Sequence, residues 1–436
     1  MFSDLNFFLQ LFIIITSLLS LLLIGLPIGF CMGTGGFVGL YLIADFQFAL
    51  NSFSIFLTST PMNFTLIAIP LFTLMAQIII FCEFGKDLYT SLERFLYGIP
   101  ASLGLATITS GSVFAASTGS SVASCATIGP IAIKEMVQRG YKKSFAAGCV
   151  AGAGGLAIVI PPSVPFIIYG FIAEVSVSKL FIAGIIPGLL MALAMSIYVL
   201  YYGINNFDNY DSKIPFRERI GYLKNVWPIL FLIIIVLGSI YGGITTPTEA
   251  AAVGVLGSLF LSIIYKRLNP SILKNILIKT STTTCFIFVI IIGALTFGFL
   301  MSYLRIPVQL ADYFLNNKMS SWEILIIINI IFFFLGMFME SSAILLVVIP
   351  LLMPTIRTIG FDPLWIGVIL LINIELGLLT PPVGMNLYII KGIGKEYNLK
   401  FNEIVRGTIP FIFAQILIWL ILILFPDLVL FLPNLM

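Results

Sequence analysis

IVIPPS at residues 158–163 and LLTPPV at residues 378–383 each place two adjacent prolines within a long apolar segment. Proline has no backbone N–H, and its ring clashes with the carbonyl one turn earlier, so two in succession unwind a helix. We therefore predict a discontinuous helix at 145–173 and a second one at 363–390. A kink that only shapes packing is the simplest interpretation of one such break, whereas two breaks of the same kind favour a binding role.

The composition is that of a membrane protein. Of the 436 residues, 60% are apolar and only 9% are charged, and the mean hydropathy is +1.13. A soluble domain would carry about 25% charged residues, because its surface has to meet water. The predicted fold class is therefore an all-α polytopic membrane protein. The net charge of +3 indicates no nucleic-acid surface, and the absence of histidine excludes Ser-His and Cys-His nucleophilic sites, His-ligated metals and His proton relays.

Ten apolar segments are long enough to span the membrane, which takes about 20 residues. They lie at about 7–24, 28–44, 63–82, 145–173, 180–202, 227–243, 249–265, 281–303, 363–390 and 408–432. Two other apolar regions, 100–133 and 322–355, are too long for one helix and too short for two crossings. Because each has a polar centre, TGSS at 118–121 and ESS at 340–342, we predict two re-entrant hairpins built from half-length helices.

The positions of Lys and Arg predict the orientation. They cluster at 86–94, 134–143, 213–224, 266–279 and 391–406, and are sparse at 45–62, 174–179, 241–249 and after 426. By the positive-inside rule the clusters are cytoplasmic. All of the Lys and Arg clusters face the cytoplasm only if each hairpin returns to the side of the membrane from which it enters. In that topology both termini lie outside. The first hairpin then enters from the cytoplasm and the second from the opposite face.

A shift of about 220 residues superimposes the two halves of the sequence. The serine pair at 120–121 falls on the pair at 341–342, and the proline pairs follow 41 residues later in one half and 40 in the other. We predict a single transport domain, 1–436, with a first repeat at 1–203, a cytoplasmic connection at 204–226 and a second, inverted repeat at 227–436. Inverted repeats with broken helices are typical of secondary transporters.

Hydroxyl and carbonyl oxygens at the hairpin tips and breaks are the candidate ligands. Residues 107–127 hold ten Ser or Thr, most of which are expected to serve helix packing. Ser120 and Ser121 differ because they lie at the hairpin tip, where free N–H groups bind carboxylates and free carbonyls bind cations. Carbonyls near Gly155 and Gly377, with the side chains of Thr380 and Asn386, suit an alkali cation.

Four ionisable residues lie within the apolar regions, where charge is costly enough to indicate function. Glu340 is the strongest candidate because it lies at the second hairpin tip. Glu375 precedes Thr380 within the broken helix, and is either buried or lines the cavity. Glu249 has a helix-capping signature. Arg305 is divided between snorkelling to the interface and substrate contact.

These segments resemble the large membrane subunit of tripartite ATP-independent periplasmic (TRAP) transporters over nearly the whole chain. The motifs are IPLF at 69–72, STGSSVA at 117–123, IPPSVP at 160–165, LFIAGIIPG at 180–188, TPTEAA at 246–251 and LTPPVGMN at 379–386. The resemblance implies uptake of an organic anion, such as a C4-dicarboxylate or sialic acid, across the bacterial inner membrane. Sodium is the implied coupling ion, no cofactor is expected, and an elevator-type transport domain carrying both hairpins and broken helices slides against a scaffold.

The resemblance also implies partners and site residues. A periplasmic substrate-binding protein delivers the anion, and a separate four-span small subunit is expected. Glu340 stands where the family pattern usually has an aspartate. The predicted substrate contacts are Ser120, Ser121, Ser163, Glu340 and Arg305, and the predicted sodium contacts are Ser120, Gly155, Pro161, Ser341, Gly377, Thr380 and Asn386.

The sequence also bears on several alternative functions. A stand-alone sodium–carboxylate symporter of the same architecture differs only in needing no binding protein. An intramembrane protease would need a nucleophile with a base or paired acids, which the hairpins lack. A channel or structural subunit leaves the paired hairpins unexplained, and a primary pump is disfavoured because no P-loop motif occurs.

Overall fold

The computed structural model describes residues 7–206, 215–358 and 360–436, and all regular structure within these ranges is helical. Seven helices of the described chain are long and apolar enough to cross a membrane, and an eighth span results if the bent pair Glu218–Asn225 and Trp227–Tyr241 is counted as one. The prediction of an all-α polytopic membrane protein is confirmed.

Residues 7–206 form eleven α-helices. Their bounds are α1 Phe7–Leu23, α2 Ile28–Ile43, α3 Phe46–Met62, α4 Phe64–Phe81, α5 Phe84–Phe95, α6 Ser102–Thr118, α7 Ser121–Gln138, α8 Lys143–Val159, α9 Val164–Ala173, α10 Val177–Ala183 and α11 Ile185–Asn206.

The described part of the second half follows the connection. Its helices are α12 Phe216–Tyr222, α13 Trp227–Tyr241, α14 Pro247–Ile264, α15 Pro270–Tyr303, α16 Ile306–Asn316, α17 Ser321–Gly336, α18 Ser341–Thr358, α19 Pro363–Leu378, α20 Met385–Ile393, α21 Phe401–Leu424 and α22 Asp427–Leu430.

The helices break where the sequence predicts. Gly119 and Ser120 separate α6 from α7, and 337–340 separates α17 from α18. The double prolines end α8 and α19, and both Pro–Pro peptide bonds are cis. Gly119 has φ +60°, a conformation that favours glycine, and Ser120 caps α7 by accepting the Ala123 N–H. These four breaks are confirmed as positions in the chain.

Three predicted segments begin where the structure begins a helix, but these helices are shorter than a full span. α1, α2 and α19 have 17, 16 and 16 residues, because the chain turns at Gly25, caps a new helix at Asp45 and unwinds at the second proline pair. α18 has 18 residues and is long and apolar enough to cross a membrane, although the sequence predicts it as half of a hairpin.

Two helices were wrongly placed by hydropathy. α3 occupies 46–62, where hydropathy predicts a loop between two spans. The Asp45 carboxylate caps this helix by accepting the Phe48 N–H at 2.7 Å. α15 begins at Pro270 rather than at 281 and runs for 34 residues, with Asn269 as its cap. Lysines at 274 and 279 made this first part look like a loop, yet Lys is a good helix former.

The broken helices lie at the centre of the molecule. Every residue of α8 from Phe145 to Val159 is buried. α21 packs closely on it, since a Cβ at Gly148 would collide with the Gly407 carbonyl. Glycine at such crossings lets two helix backbones approach, as is common between membrane helices. α8 therefore carries its proline break within a tightly packed core.

Candidate functional site

The first hairpin tip packs directly on the first proline break. A Cβ at Gly119 would lie 2.6 Å from the Pro162 carbonyl oxygen and 3.1 Å from Ser163 Cα. Only a glycine permits this approach. The tip and the break of the first half are therefore in contact.

The second hairpin is joined to the second break by a backbone hydrogen bond. The Gly384 N–H, which follows the prolines, donates to the Met337 carbonyl at 3.0 Å. Gly384 also has a positive φ, +62°, which a residue with a side chain adopts only at a cost. Each half thus pairs its hairpin with its own proline break.

A buried hydrogen-bond network joins the two halves. The Ser121 hydroxyl at the start of α7 donates to Glu375 Oε1 of α19 at 3.2 Å. Asn386 Nδ2 of α20 donates to Ser121 Oγ at 2.5 Å and to Glu375 Oε1 at 2.9 Å. Ser121 and Asn386, both predicted from sequence as ligands, are brought together with a carboxylate that we had not assigned to the site.

Gly155 forms the wall of this network. A Cβ there would lie 2.9 Å from Glu375 Oε1 and 2.8 Å from Nε2 of Gln415, a residue of α21. The Gly155 backbone therefore lies beside the acid, a few residues before the first proline break. Gln415 was missed; a lone amide within the apolar segment 408–432 was the signal that could have found it.

The other residues predicted as contacts in the first half lie at the break and at the hairpin tip. Ser163 is buried and its hydroxyl has no hydrogen-bond partner within the described chain. Pro161 is buried beside it. Ser120 is half-buried, and its oxygen accepts only the Ala123 N–H, at 3.4 Å. A buried hydroxyl without a partner carries a desolvation cost that a bound ligand would offset.

Glu340 is engaged by its own helix. Its carboxylate accepts the Ser342 N–H at 3.0 Å and the hydroxyls of Ser341 and Ser342 at 3.0 and 3.1 Å. It therefore caps the N-terminus of α18, where a negative charge is favourable. The structure places Glu340 and Ser341 at the second hairpin tip, as predicted, and gives the carboxylate a structural role there.

Three other predicted residues lie apart from the network. Gly377 allows α19 to approach α17, because a Cβ would lie 2.6 Å from Gly336 Cα, and its carbonyl accepts the Thr380 N–H at 2.9 Å. The Thr380 hydroxyl donates to the Leu376 carbonyl at 2.6 Å. Arg305 is exposed at the start of α16. Gly377 and Thr380 are thus engaged in helix packing and local hydrogen bonds, and Arg305 lies on the exposed surface.

The acid of the network has no partner of opposite charge among the ion pairs of the described residues. The ion pairs observed in the described part of the chain use Glu83, Asp87, Glu93, Glu135 and Glu174 as their acids. Glu375 is not among them. Within the same ranges, no three His, Cys, Asp or Glu residues gather into a set that could hold a metal ion. The site is therefore one carboxylate among neutral oxygen donors and amides.

The predicted capping role of Glu249 is confirmed. Its carboxylate accepts the N–H and the hydroxyl of Thr246 at 2.8 and 2.9 Å, while Thr246 Oγ1 accepts the Glu249 N–H. This capping box fixes the start of α14.

Comparison with known proteins agrees with this architecture. The family model described as "Tripartite ATP-independent periplasmic transporter, DctM component" matches residues 15–428. The large permease protein SiaM of a sialic acid TRAP transporter from Vibrio cholerae is 33% identical over 425 residues, covering 96% of this chain and 97% of that protein. The large permease protein DctM of a C4-dicarboxylate TRAP transporter from Pseudomonas aeruginosa is 33% identical over 387 residues, covering 88% and 90%.

A solved structure shares the fold. The YdaH transporter of Alcanivorax borkumensis superimposes with a TM-score of 0.59 at 12% sequence identity, covering 86% of each chain. At this identity the likeness concerns the fold alone. The family model and the two permeases carry the assignment, which confirms the resemblance found in the motifs: the chain belongs to the DctM component family of tripartite ATP-independent periplasmic transporters.

Proposed function

We propose that this chain is the membrane subunit that carries an organic anion across the bacterial inner membrane, driven by sodium. The observation that supports this best is the pairing of each hairpin with its own proline break, with a polar network between the halves. The N-terminus of α7 at the first tip suits a carboxylate, and the oxygens beside it suit sodium. The relatives named for sialic acid and C4-dicarboxylates make a carboxylate the proposed substrate class.

Sodium is the proposed coupling ion because the site offers oxygens and little charge. The unpartnered Ser163 hydroxyl and the Gly155 backbone come from the first half, and Asn386 comes from the second. Hydroxyl, amide and carbonyl oxygens do not titrate near neutral pH, so proton coupling would depend on the one acid of the site, Glu375, whereas sodium can use all of these oxygens. The ion enters with the substrate and is released with it.

An inverted repeat is proposed for the two halves. Ser121 and Ser341 begin α7 and α18, and Lys143 and Pro363 begin α8 and α19; each pair is 220 residues apart. The Lys and Arg clusters support opposite orientations of the halves. Such repeats allow one site to open alternately to the two sides.

An elevator motion is proposed on the basis of how the helices pack. The transport group would comprise α6–α11 and α17–α21, and the scaffold group α1–α4 and α13–α15. We include α21 in the transport group, because it lies against α8. The side chains of Thr248 and Arg267 bond to carbonyls within the scaffold group, whereas Phe72 of α4 meets Phe181 of α10 across the groups in an edge contact with centroids 6.1 Å apart. Apolar contact of this kind permits sliding.

Partners are proposed from the family: a small membrane subunit and a periplasmic substrate-binding protein. The alternative is a stand-alone sodium–carboxylate symporter. Reconstitution of the chain with its small subunit, with and without the binding protein, separates the two. Uptake that requires the binding protein supports the proposal, and equal uptake without it supports the alternative.

A sodium gradient should drive this uptake in the absence of ATP, and an equal potassium gradient should not. Unchanged uptake when potassium replaces sodium would refute the proposed coupling. A liposome preparation without the chain measures the leak and is the baseline for both conditions.

A further inference from the structure

The buried acid in α19 has no role in the function proposed so far. Glu375 is 0% exposed, and the ion pairs of the described residues do not include it. An ionised carboxylate buried in a membrane protein needs a positive charge nearby that offsets its negative charge. The question is what supplies that charge.

The hydrogen bonds of this carboxylate satisfy only one of its two oxygens. Oε1 accepts from the Ser121 hydroxyl and the Asn386 amide at 3.2 and 2.9 Å. Oε2 is buried and accepts no hydrogen bond from any residue that the structure describes. The Asn386 amide, after giving its N–H groups to Ser121 and Glu375, has an oxygen that is also buried and without a donor.

A third side chain adds to this set. Gln415 is 0% exposed, and neither its side-chain oxygen nor its nitrogen has a hydrogen-bond partner among the residues that the structure describes. Because Gln415 Nε2 and Glu375 Oε1 lie 2.8 and 2.9 Å from the place of a Cβ on Gly155, both side chains face the same bare Cα. Rotation of the amide exchanges its two ends, so an oxygen can face the acid.

We propose that Glu375, Asn386 and Gln415 bind a sodium ion where α19, α20 and α21 meet beside α8, with Glu375 as the charged ligand. This inference rests on the sodium coupling proposed above and adds to it the residues Glu375 and Gln415. Three buried oxygens without donors suit a hard cation, which accepts several oxygen ligands at once. A proton would satisfy only one of them. Ser121 is a positioning residue, since it holds the other carboxylate oxygen.

The site would link the two halves of the chain. Ser121 and Gly155 come from the first half, and Glu375, Asn386 and Gln415 come from the second. With one sodium ion bound, the carboxylate has no net charge. The loaded site can then pass an apolar interface more readily than an empty one, because burial penalises an uncompensated charge. The acid would thereby couple ion binding to movement.

The test measures sodium binding directly. The purified full-length chain in lipid nanodiscs is unfolded thermally over a sodium chloride series, with choline chloride holding the ionic strength constant. Glu375→Gln removes the charge and keeps the volume, and Gln415→Leu removes the amide. The control is Asn373→Leu, on the same helix, which removes a buried amide bonded at 2.7 Å to Asn329 Oδ1.

Both site variants should raise the sodium concentration for half-maximal stabilisation by about tenfold or more, equivalent to about 1.4 kcal/mol of binding. The control should lower the unfolding temperature and keep the wild-type sodium midpoint. A sodium midpoint of Glu375→Gln within about twofold of the wild-type value would overturn the proposed site. If Glu375→Gln does not fold, the same criterion is applied to the midpoint of Gln415→Leu.

The same series separates this inference from the function on which it rests. If wild-type uptake needs sodium while the midpoint of Glu375→Gln is unchanged, only the Glu375 site is refuted. If wild-type uptake proceeds equally on potassium, sodium coupling itself is refuted and the site with it.

Discussion

Replacing Gly119 by Ala perturbs the contact between the first hairpin tip and the first proline break. Gly119 has φ +60°, and an L-residue pays roughly 1–2 kcal/mol for that conformation. The added Cβ would also lie 2.6 Å from the Pro162 carbonyl oxygen, so the tip must move away from the break. Overpacking of this kind costs about 1–3 kcal/mol, which corresponds to about 5- to 150-fold in affinity if it falls on binding.

The matched control is Gly140→Ala. Gly140 also has a positive φ, +79°, yet a Cβ there meets nothing within 4 Å. Both variants therefore carry the backbone penalty, and only Gly119→Ala disturbs the tip. We expect both to lower the thermal unfolding temperature, and only Gly119→Ala to raise the sodium concentration needed for half-maximal uptake in proteoliposomes. Equal sodium requirements in the two variants, at equal membrane levels, would refute the role of this contact.

Three further outcomes are expected. Ser121→Ala should raise the sodium requirement for uptake more than Ser120→Ala, because Ser121 bridges the halves whereas the Ser120 oxygen makes one long capping bond; the reverse order would contradict the network. Gly377→Ala should destabilise the protein by about 1–3 kcal/mol in thermal unfolding, since its Cβ would lie 2.6 Å from Gly336 Cα, and unaltered stability would argue against this packing. A cysteine introduced at 134–143 should react only with reagents that reach the cytoplasm, and labelling from outside would disprove the hairpin topology.

The breaks in the helices were predictable because local chemistry dictates them. Two adjacent prolines end a helix wherever they occur, and a glycine followed by serines is a strong signal for a helix end and a new start. These rules located the breaks at 119–120 and at 160–163 without any knowledge of packing. Matched spacing in the other half then supplied the second pair.

The extents of spans and the full polar network were not predictable in the same way. α3 has a mixed polar and apolar sequence, so hydropathy treated it as a loop, whereas its cap and its neighbours make it helical. Glu375 and Gln415 are 40 residues apart in sequence, and only the packing of α19 and α21 around α8 brings both to Gly155. Long-range contacts of this kind carry no local sequence signal.

Glu340 lies where the sequence predicts, and the structure adds which groups its carboxylate contacts. The sequence placed an acid at the second hairpin tip, and intramembrane acids usually indicate function. The structure gives its carboxylate three donors from the first residues of α18, which is how an N-cap behaves. Glu375, which has donors on one oxygen only, is the acid with capacity left for a ligand.

The reversal point of transport tests the central claim most directly. Proteoliposomes holding the full transporter are given a series of fixed sodium gradients, and at each one the opposing gradient of the organic anion is varied until net flux stops at zero membrane potential. Sodium coupling predicts that the balancing anion gradient changes with the sodium gradient, raised to the power of the number of ions carried. A reversal point that stays the same at every sodium gradient would contradict the account.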